Sequence, residues 1–194
     1  MSLTDRFADA LVFAEKLHRA QTRKGNDIPY IAHLMAIAAT ALEWGGDEDV
    51  AIAALLHDAV EDQGGMETAD LIRARYGQRV AVIVLACSDS LSSDAKDKAP
   101  WEERKRRHIA HLADASPEVA LVTAADKLHN LTAMLRDVRR EGPSTLARFN
   151  APDRQVWYFT AIAEALAPHA EIAPVAELRA GARELEGLLA KAAA

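Results

Sequence analysis

The chain has 194 residues, of which 50% are hydrophobic, 27% are charged and only 5% are aromatic, and its formal net charge is −6. This composition is typical of a soluble globular protein, and the length predicts a single domain, over residues 1–194, with a substantial core. The negative charge disfavours binding of duplex nucleic acid. No apolar run approaches the roughly 20 residues that span a membrane, and the charged N-terminus lacks an apolar signal core, so we expect a cytoplasmic protein.

Helical periodicity and helix punctuation predict an all-α fold, a compact helical bundle. A first helix carries an apolar face from Phe7 to Leu17. Asp27 resembles the cap of a second helix, which carries His33 and ends at the Gly45-Gly46 pair. Asp47 is expected to open a third helix, which continues through residues 57–62.

The second half of the chain is also predicted to be helical. After a helix near residues 67–76, the apolar stretch that ends at Cys87 is interpreted as a buried helix, with Cys87 as a small buried hydrophobe. A single cysteine excludes an intramolecular disulfide, which fits a reducing compartment. Further helices are expected after a polar loop at 92–99, from Pro100 to about 113, from Ser116 to about 139, and over about 151–166 and 175–191. The last helix closes the core or, alternatively, pairs two subunits in a homodimer; we favour core packing.

A cluster of ligand-type side chains directly follows the apolar run 50–56: His57-Asp58-Ala59-Val60-Glu61-Asp62. Burial of ionised carboxylates is costly unless a positive charge compensates them. On one continuous helix, Glu61 lies a turn after His57 and Asp62 a turn after Asp58, so the four side chains share one broad side. The acidic groups would repel one another there without a cation. The pattern therefore predicts a divalent metal ion, and a metal among carboxylates and imidazoles indicates hydrolysis.

Two more candidate ligands lie elsewhere in the chain, His33 on the preceding helix and Asp126 on a distant one. Two imidazoles and two carboxylates leave coordination positions for water and substrate, as in a catalytic site. We expect manganese, with iron(II), zinc or magnesium as alternatives that the ligand types also suit. A lone histidine or aspartate is more often structural or solvated, so the pattern by itself leaves His33 and Asp126 open.

Three segments together resemble the HD superfamily of metal-dependent phosphohydrolases, and more specifically the hydrolase domain of the Rel/SpoT alarmone enzymes and their small stand-alone relatives. The resemblance covers roughly residues 5–140 and leaves 151–194 as C-terminal helices. The segments are Gln-Thr-Arg-Lys-Gly-Asn-Asp-Ile-Pro-Tyr-Ile-Ala-His at 21–33, His-Asp-Ala-Val-Glu-Asp at 57–62 and Ala-Asp-Lys-Leu-His-Asn at 125–130.

The resemblance implies that His33, His57, Asp58 and Asp126 hold the metal. It also implies that Glu61 and Asp62 position and deprotonate the attacking water, and that Asn130 contacts the nucleotide. The reaction expected from it is removal of the 3′-pyrophosphate of ppGpp or pppGpp, a small nucleotide substrate.

Two basic segments are candidate phosphate or nucleotide contacts. Arg23 and Lys24 read as a solvated pair on sequence alone, but the resemblance favours substrate contact. Arg104 and Lys105 belong to the densest basic run, whose default interpretation is an exposed helix face, and the resemblance favours phosphate binding there too. Tyr30 can lie either beside the base of the nucleotide or in the core, and the sequence leaves both positions open.

Two departures from the family pattern concern substrate identity. The segment at residues 25–29 is one residue longer than in the alarmone enzymes, and Gln63 replaces their usual threonine. The alternative activity is that of another HD-type enzyme, such as a nucleoside monophosphate phosphatase. The non-enzymatic alternative is a module that binds a metal or a nucleotide without turnover.

Overall fold

The computed structural model describes residues 2–90 and 99–193, and the regular elements within these ranges are helical. The α-helices are α1 (Asp5–His18), α2 (Ile31–Glu43), α3 (Glu48–Leu56), α4 (Ala59–Asp62), α5 (Gly65–Tyr76), α6 (Gln78–Cys87), α7 (Trp101–Leu112), α8 (Pro117–Glu141), α9 (Gln155–Ala165) and α10 (Val175–Ala193). Short 3₁₀ helices lie at Pro143–Arg148, Pro152–Arg154 and Ala167–His169. The predicted all-α class is confirmed, and most of the predicted loop at 92–99 lies outside the described residues.

Two of the predicted helix starts have the expected caps. The Asp47 side chain accepts a hydrogen bond from the backbone N–H of Val50 at 3.1 Å, and the Ser116 hydroxyl accepts one from Val119 at 3.4 Å. Each satisfies a backbone donor that has no partner within its own helix. Of the capped helices, α8 carries Asp126, and α3 leads directly into His57 and Asp58.

The predicted start of α2 is wrong. Asp27 caps no helix, because the chain around it forms a hairpin-like loop in which Thr22 and Pro29 make an isolated antiparallel bridge. The helix begins only at Ile31. Backbone N–H and C=O groups of this segment pair across the loop rather than within a helix. The loop also carries the predicted basic pair, Arg23 and Lys24.

The single helix predicted through residues 57–62 is interrupted. Helix α3 ends at Leu56, and α4 is a separate turn that starts at Ala59. Between them Asp58 has φ −94° and ψ −5°, which is the sparsely populated bridge region between helix and strand conformations. The break changes the direction in which the two residues between the helices project.

Helix α3 forms the centre of the core. Every residue from Val50 to Leu56 is buried, and α3 packs against α1, α2, α6 and α8. The C-terminal helices pack on the other side of α8, where Leu178 and Leu185 of α10 are fully buried. The expectation that the last helix closes the core is confirmed. No helix in the described part of the chain is both long and apolar enough to cross a bilayer.

Two glycines of α10 give a matched test of its packing on α8. A Cβ at Gly181 would lie 2.8 Å from Leu131 Cδ2, whereas one at Gly187 would meet no atom within 4 Å. Gly181→Leu should lower the free energy of unfolding by about 1–3 kcal/mol through overpacking. Gly187→Leu should raise it by about 0.5–1 kcal/mol, because leucine is the better helix former. Urea unfolding measures both, and equal effects would contradict this packing.

Candidate active site

Four side chains from three parts of the fold converge beside the end of α3. His33 projects from α2, His57 and Asp58 from the break between α3 and α4, and Asp126 from α8. His57 Nε2 lies 3.0 Å from Asp58 Oδ2, and His33 Nε2 lies 3.3 Å from Asp126 Oδ1. Each imidazole is 3.8 Å from the other carboxylate. The structure thus brings together all four residues that the sequence named as candidate ligands.

The two imidazoles each turn one nitrogen toward the carboxylates. Nε2 of His33 and Nε2 of His57 are buried and make no hydrogen bond with the described residues. The other nitrogen of His57 lies 2.9 Å from the carbonyl oxygen of Ala54, which can only accept, so Nδ1 carries the proton. Nδ1 of His33 pairs with Nδ1 of His129 at 2.8 Å. The His57 ring is therefore oriented with an unprotonated Nε2 facing the cluster whenever it is neutral.

The charges of the cluster call for a cation. Burial lowers the pKa of His57, but the negative charge of Asp58 beside it outweighs burial and raises the pKa to about 9. Burial raises the pKa of Asp126, yet Lys127 and the two histidines hold it well below its ordinary value. The carboxylates thus stay ionised, and nearby positive charge compensates them. A divalent ion at the same point provides that compensation, and two nitrogen and two oxygen donors form a suitable ligand set.

A second layer of side chains fixes the carboxylates. The hydroxyl of Tyr30 donates to Asp58 Oδ2 at 2.5 Å, and the amide of Asn130 donates to Asp126 Oδ1 at 2.5 Å. The ammonium of Lys127 pairs with the other oxygen of Asp126. Such partners orient ligands and hold their charge. Sequence reasoning missed this role for Tyr30 and Lys127, although both lie within the matched segments.

Glu61 and Asp62 lie on α4, beside the cluster. Together with Asp58 and Asp126 they line a polar cavity of about 210 Å³. Glu61 accepts a hydrogen bond from Arg104 at 3.4 Å, and Asp62 accepts one from Gln21 at 2.8 Å. Two carboxylates that can accept a proton therefore share a cavity with the candidate metal ligands.

A larger cavity of about 580 Å³ adjoins the cluster at His33 and Asn130. Arg23 and Lys24 line it, and Arg23 donates to Asn130 Oδ1 at 2.7 Å. Another part of the lining comes from the C-terminal segments, beyond the reach of the sequence resemblance, and no sequence signal identified it. Its residues are Arg148, Phe149, Asn150, Gln155, Tyr158 and Phe159.

The basic run on α7 divides between two environments. Lys105 lines both cavities, whereas Arg104 is not among the described residues that line the larger one. Both pair with the carboxylate of Asp89, whose side chain is only 3% exposed. Asp89 follows the end of α6 and was not singled out from the sequence. It anchors the basic run beside the small polar cavity, which Asp89 and Lys105 also line.

Comparisons with known proteins agree with this fold and site. A family model described as an HD domain matches residues 10–156. The guanosine-3′,5′-bis(diphosphate) 3′-pyrophosphohydrolase MESH1 of Xenopus tropicalis is 39% identical over 139 residues, which is 70% of either chain. A GTP pyrophosphokinase of Streptomyces coelicolor is 35% identical over 136 residues, covering 70% of this chain but only 15% of that protein.

A solved structure extends the likeness to the C-terminal helices. The structure of a metazoan orthologue of SpoT that hydrolyses ppGpp superposes with a TM-score of 0.76 at 26% identity, covering 97% of this chain and 99% of the other. The chain belongs to the HD superfamily of metal-dependent phosphohydrolases, of the Rel/SpoT type. The resemblance predicted from three sequence segments is confirmed.

The Asp89 ion pairs provide a test of how the basic run is anchored. Burial raises the pKa of Asp89, but Lys105 and Arg104 outweigh it and hold the pKa below its ordinary value. A lowered pKa contributes stability above about pH 4, and that stability is lost as the pH falls through the folded-state value. Asp89→Asn should therefore cost about 1.5–3 kcal/mol at pH 7, with a smaller difference from wild type below about pH 4.

Asp70→Asn is the matched control, because Asp70 makes an exposed ion pair with Arg73. It should change the free energy of unfolding by less than about 0.5 kcal/mol. Denaturant unfolding at several pH values measures both variants. An Asp89→Asn effect as small as that of the control would show that the basic run is not anchored there.

Proposed function

We propose that the chain is a metal-dependent 3′-pyrophosphohydrolase of guanosine 3′,5′-bis(diphosphate) and its 5′-triphosphate analogue. The observation that carries this proposal is the convergence of His33, His57, Asp58 and Asp126 at the edge of a cavity of about 580 Å³. That volume lies in the usual range for small-molecule sites. Relatives that share the fold carry this activity in their names.

We assign His33, His57, Asp58 and Asp126 as ligands of one divalent ion, with manganese as the proposed ion and iron(II), zinc or magnesium as alternatives. The two buried imidazole nitrogens without hydrogen-bond partners support this assignment. When bound, such an ion supplies Lewis acidity, which polarises a phosphoryl oxygen and lowers the pKa of a water from about 15.7 toward 7.

We assign proton transfer to the α4 carboxylates. Glu61 and Asp62 line the small polar cavity beside the ligand cluster, where a water that attacks phosphorus has to lie. Either carboxylate can accept its proton, and their neighbours Arg104 and Gln21 fix the side-chain positions.

We assign charge stabilisation to the two lysines that face both cavities. Lys105 and Lys127 line both the small cavity and the large one, so a phosphoryl group at the junction of the cavities lies near two ammonium groups. Such fixed positive charge stabilises the extra negative charge that develops on phosphoryl oxygens during attack.

We assign nucleotide binding to Arg23, Lys24 and Asn130, with Lys105 as a phosphate contact. The Arg23 guanidinium lies 5.7 Å from the centre of the Tyr30 ring and bonds Asn130, so its plane is fixed at the cavity wall. A fixed guanidinium can stack on a base or bind phosphate in a bidentate manner.

The reaction is tested with purified protein, manganese and a panel of ppGpp, GMP and AMP. We expect GDP and pyrophosphate from ppGpp, no orthophosphate from the monophosphates, loss of turnover with a chelator and recovery on addition of manganese. Anion-exchange chromatography identifies the products. Orthophosphate release from GMP or AMP would instead identify a monophosphatase, and nucleotide binding without product would identify a non-catalytic module.

A second test distinguishes the proposed metal-ligand role of Asp126 from the proposed proton-acceptor role of Glu61 and Asp62. Asp126→Ala should remove both bound metal and activity, because it removes a ligand. The double variant Glu61→Gln and Asp62→Asn should retain metal but lower kcat by about 10²–10⁴-fold, the usual contribution of general base catalysis. Asp114→Ala, an exposed aspartate, is the control and should change neither. Elemental analysis and steady-state kinetics give both readouts, and normal turnover in the double variant would refute the assigned base.

A further inference from the structure

A chain of side-chain amides leads from Gln63 to the Asp62 carboxylate. Gln63 Nε2 donates to Gln21 Oε1 at 2.8 Å, and Gln21 Nε2 donates to Asp62 Oδ2 at 2.8 Å. His18 Nδ1 also lies 2.7 Å from Gln21 Oε1. Gln21 thus connects a residue beside Asp62 in sequence with the carboxylate itself, through the loop that follows α1.

The hydrogen bonds have one consistent direction. Asp62 as a carboxylate can only accept, so the nitrogen of the Gln21 amide faces it and the oxygen faces Gln63 and His18. That oxygen accepts from both, which requires the proton of His18 to be on Nδ1. A reversed Gln21 amide would place donor against donor and acceptor against acceptor. Gln63 and His18 therefore support the orientation in which the Gln21 amide donates to Asp62.

The amide chain adds a restraint to Asp62, whose own helix is short. Helix α4 is a single turn, from Ala59 to Asp62, and Asp62 is its last residue. A terminal residue of one turn is poorly restrained by its helix. Gln63 is restrained, since Thr68 Oγ1 donates to its carbonyl oxygen at 2.6 Å and Thr68 is buried. The amide chain thus connects the Asp62 carboxylate to a fixed point of the backbone.

We propose that Gln63 and Gln21 are positioning residues for the reaction: the Gln63 amide holds Gln21 so that its amide nitrogen aims the Asp62 carboxylate at the attacking water. This inference rests on the proposed function, in which Asp62 accepts the proton of that water. It assigns a role to the position at which the chain departs from the threonine of its family. A threonine hydroxyl is too short to replace the amide that reaches Gln21.

The kinetic test compares variants that differ in how much of the chain they remove. Gln63→Thr removes the anchor, and Gln21→Met keeps a side chain of similar length but removes the donor to Asp62. Both should lower kcat with ppGpp, Gln63→Thr by about 10-fold and Gln21→Met by more, with KM within about twofold, since outer partners typically contribute 10–100-fold. Gln78→Thr, which removes only a surface hydrogen bond to Arg73, should match wild type.

Two further measurements separate positioning from folding. Metal content and melting temperature are determined for each variant, and a loss of kcat at unchanged metal content and full folding supports positioning. If kcat of folded Gln63→Thr stays within twofold of wild type, the proposal is overturned. A fall in stability with unchanged kcat indicates a purely structural role and likewise overturns it.

A further measurement does not depend on turnover. If wild type does not hydrolyse ppGpp, the proposed function is refuted, but the amide chain can still be tested. In metal-free protein, NMR measures hydrogen exchange of the Gln21 side-chain amide. Its protection in wild type should be lost in Gln63→Thr and in Asp62→Ala but kept in Gln78→Thr. Unchanged protection in Gln63→Thr would overturn the proposal.

Discussion

Compensation of buried charge is the constraint on which the rest of the site depends. Asp126 is 4% exposed, and the imidazoles of His33 and His57 are 1% and 3% exposed. Carboxylates with so little access to water are costly unless positive charge lies against them. The surrounding groups meet this demand from several helices at once. Lys127 pairs with Asp126, the Tyr30 hydroxyl donates to Asp58, and the Asn130 amide donates to Asp126.

The break between α3 and α4 places two candidate metal ligands, His57 and Asp58, at the end of a core helix. Helix α3 is buried all around, so a regular continuation would carry His57 and Asp58 in directions about 100° apart within the core. The bridge conformation of Asp58 instead brings its carboxylate to 3.0 Å from His57 Nε2. Residues in sparsely populated backbone conformations are common at functional sites, where the surrounding packing holds them. Here the buried α3 supplies that packing.

The parts of this structure that follow from local chemistry could be predicted from sequence. The Asp47 and Ser116 caps are local, because each side chain bonds a backbone group three residues on. The interruption at Asp58 could not be predicted, since the flanking apolar residues favour a continuous helix and tertiary contacts decide otherwise. The late start of α2 has the same origin, because Thr22 and Pro29 pair across the loop. Candidate ligands came from pattern and resemblance, whereas the C-terminal cavity wall depends on long-range packing that no local pattern reports.

The two places where the sequence was expected to depart from the family pattern, residues 25–29 and Gln63, lie in different parts of the site. Gln63 lies beside α4 and connects through Gln21 to Asp62, on the side of the reacting groups. Asn26 and Ile28 of the segment at 25–29 line the large cavity, and a Cβ at Gly25 would clash with Arg148 Cδ. Gly25 has φ +78°, a backbone conformation that favours glycine, and it packs directly against Arg148 of the C-terminal wall. Arg148 in turn pairs with Asp137 of α8, seven residues after Asn130.

The loop that contains residues 25–29 contacts both the cavity wall, through Gly25 and Arg148, and the ligand cluster, through Arg23 and Asn130. Arg148 also pairs with Asp137, whereas His33 contacts His129 and Asp126. Asn130 therefore joins the two regions, because its oxygen accepts from Arg23 of the loop and its nitrogen donates to Asp126 of the cluster. A side chain that bonds both the binding loop and a candidate metal ligand relates the position of the bound nucleotide to that of the metal, as outer partners of metal ligands commonly do.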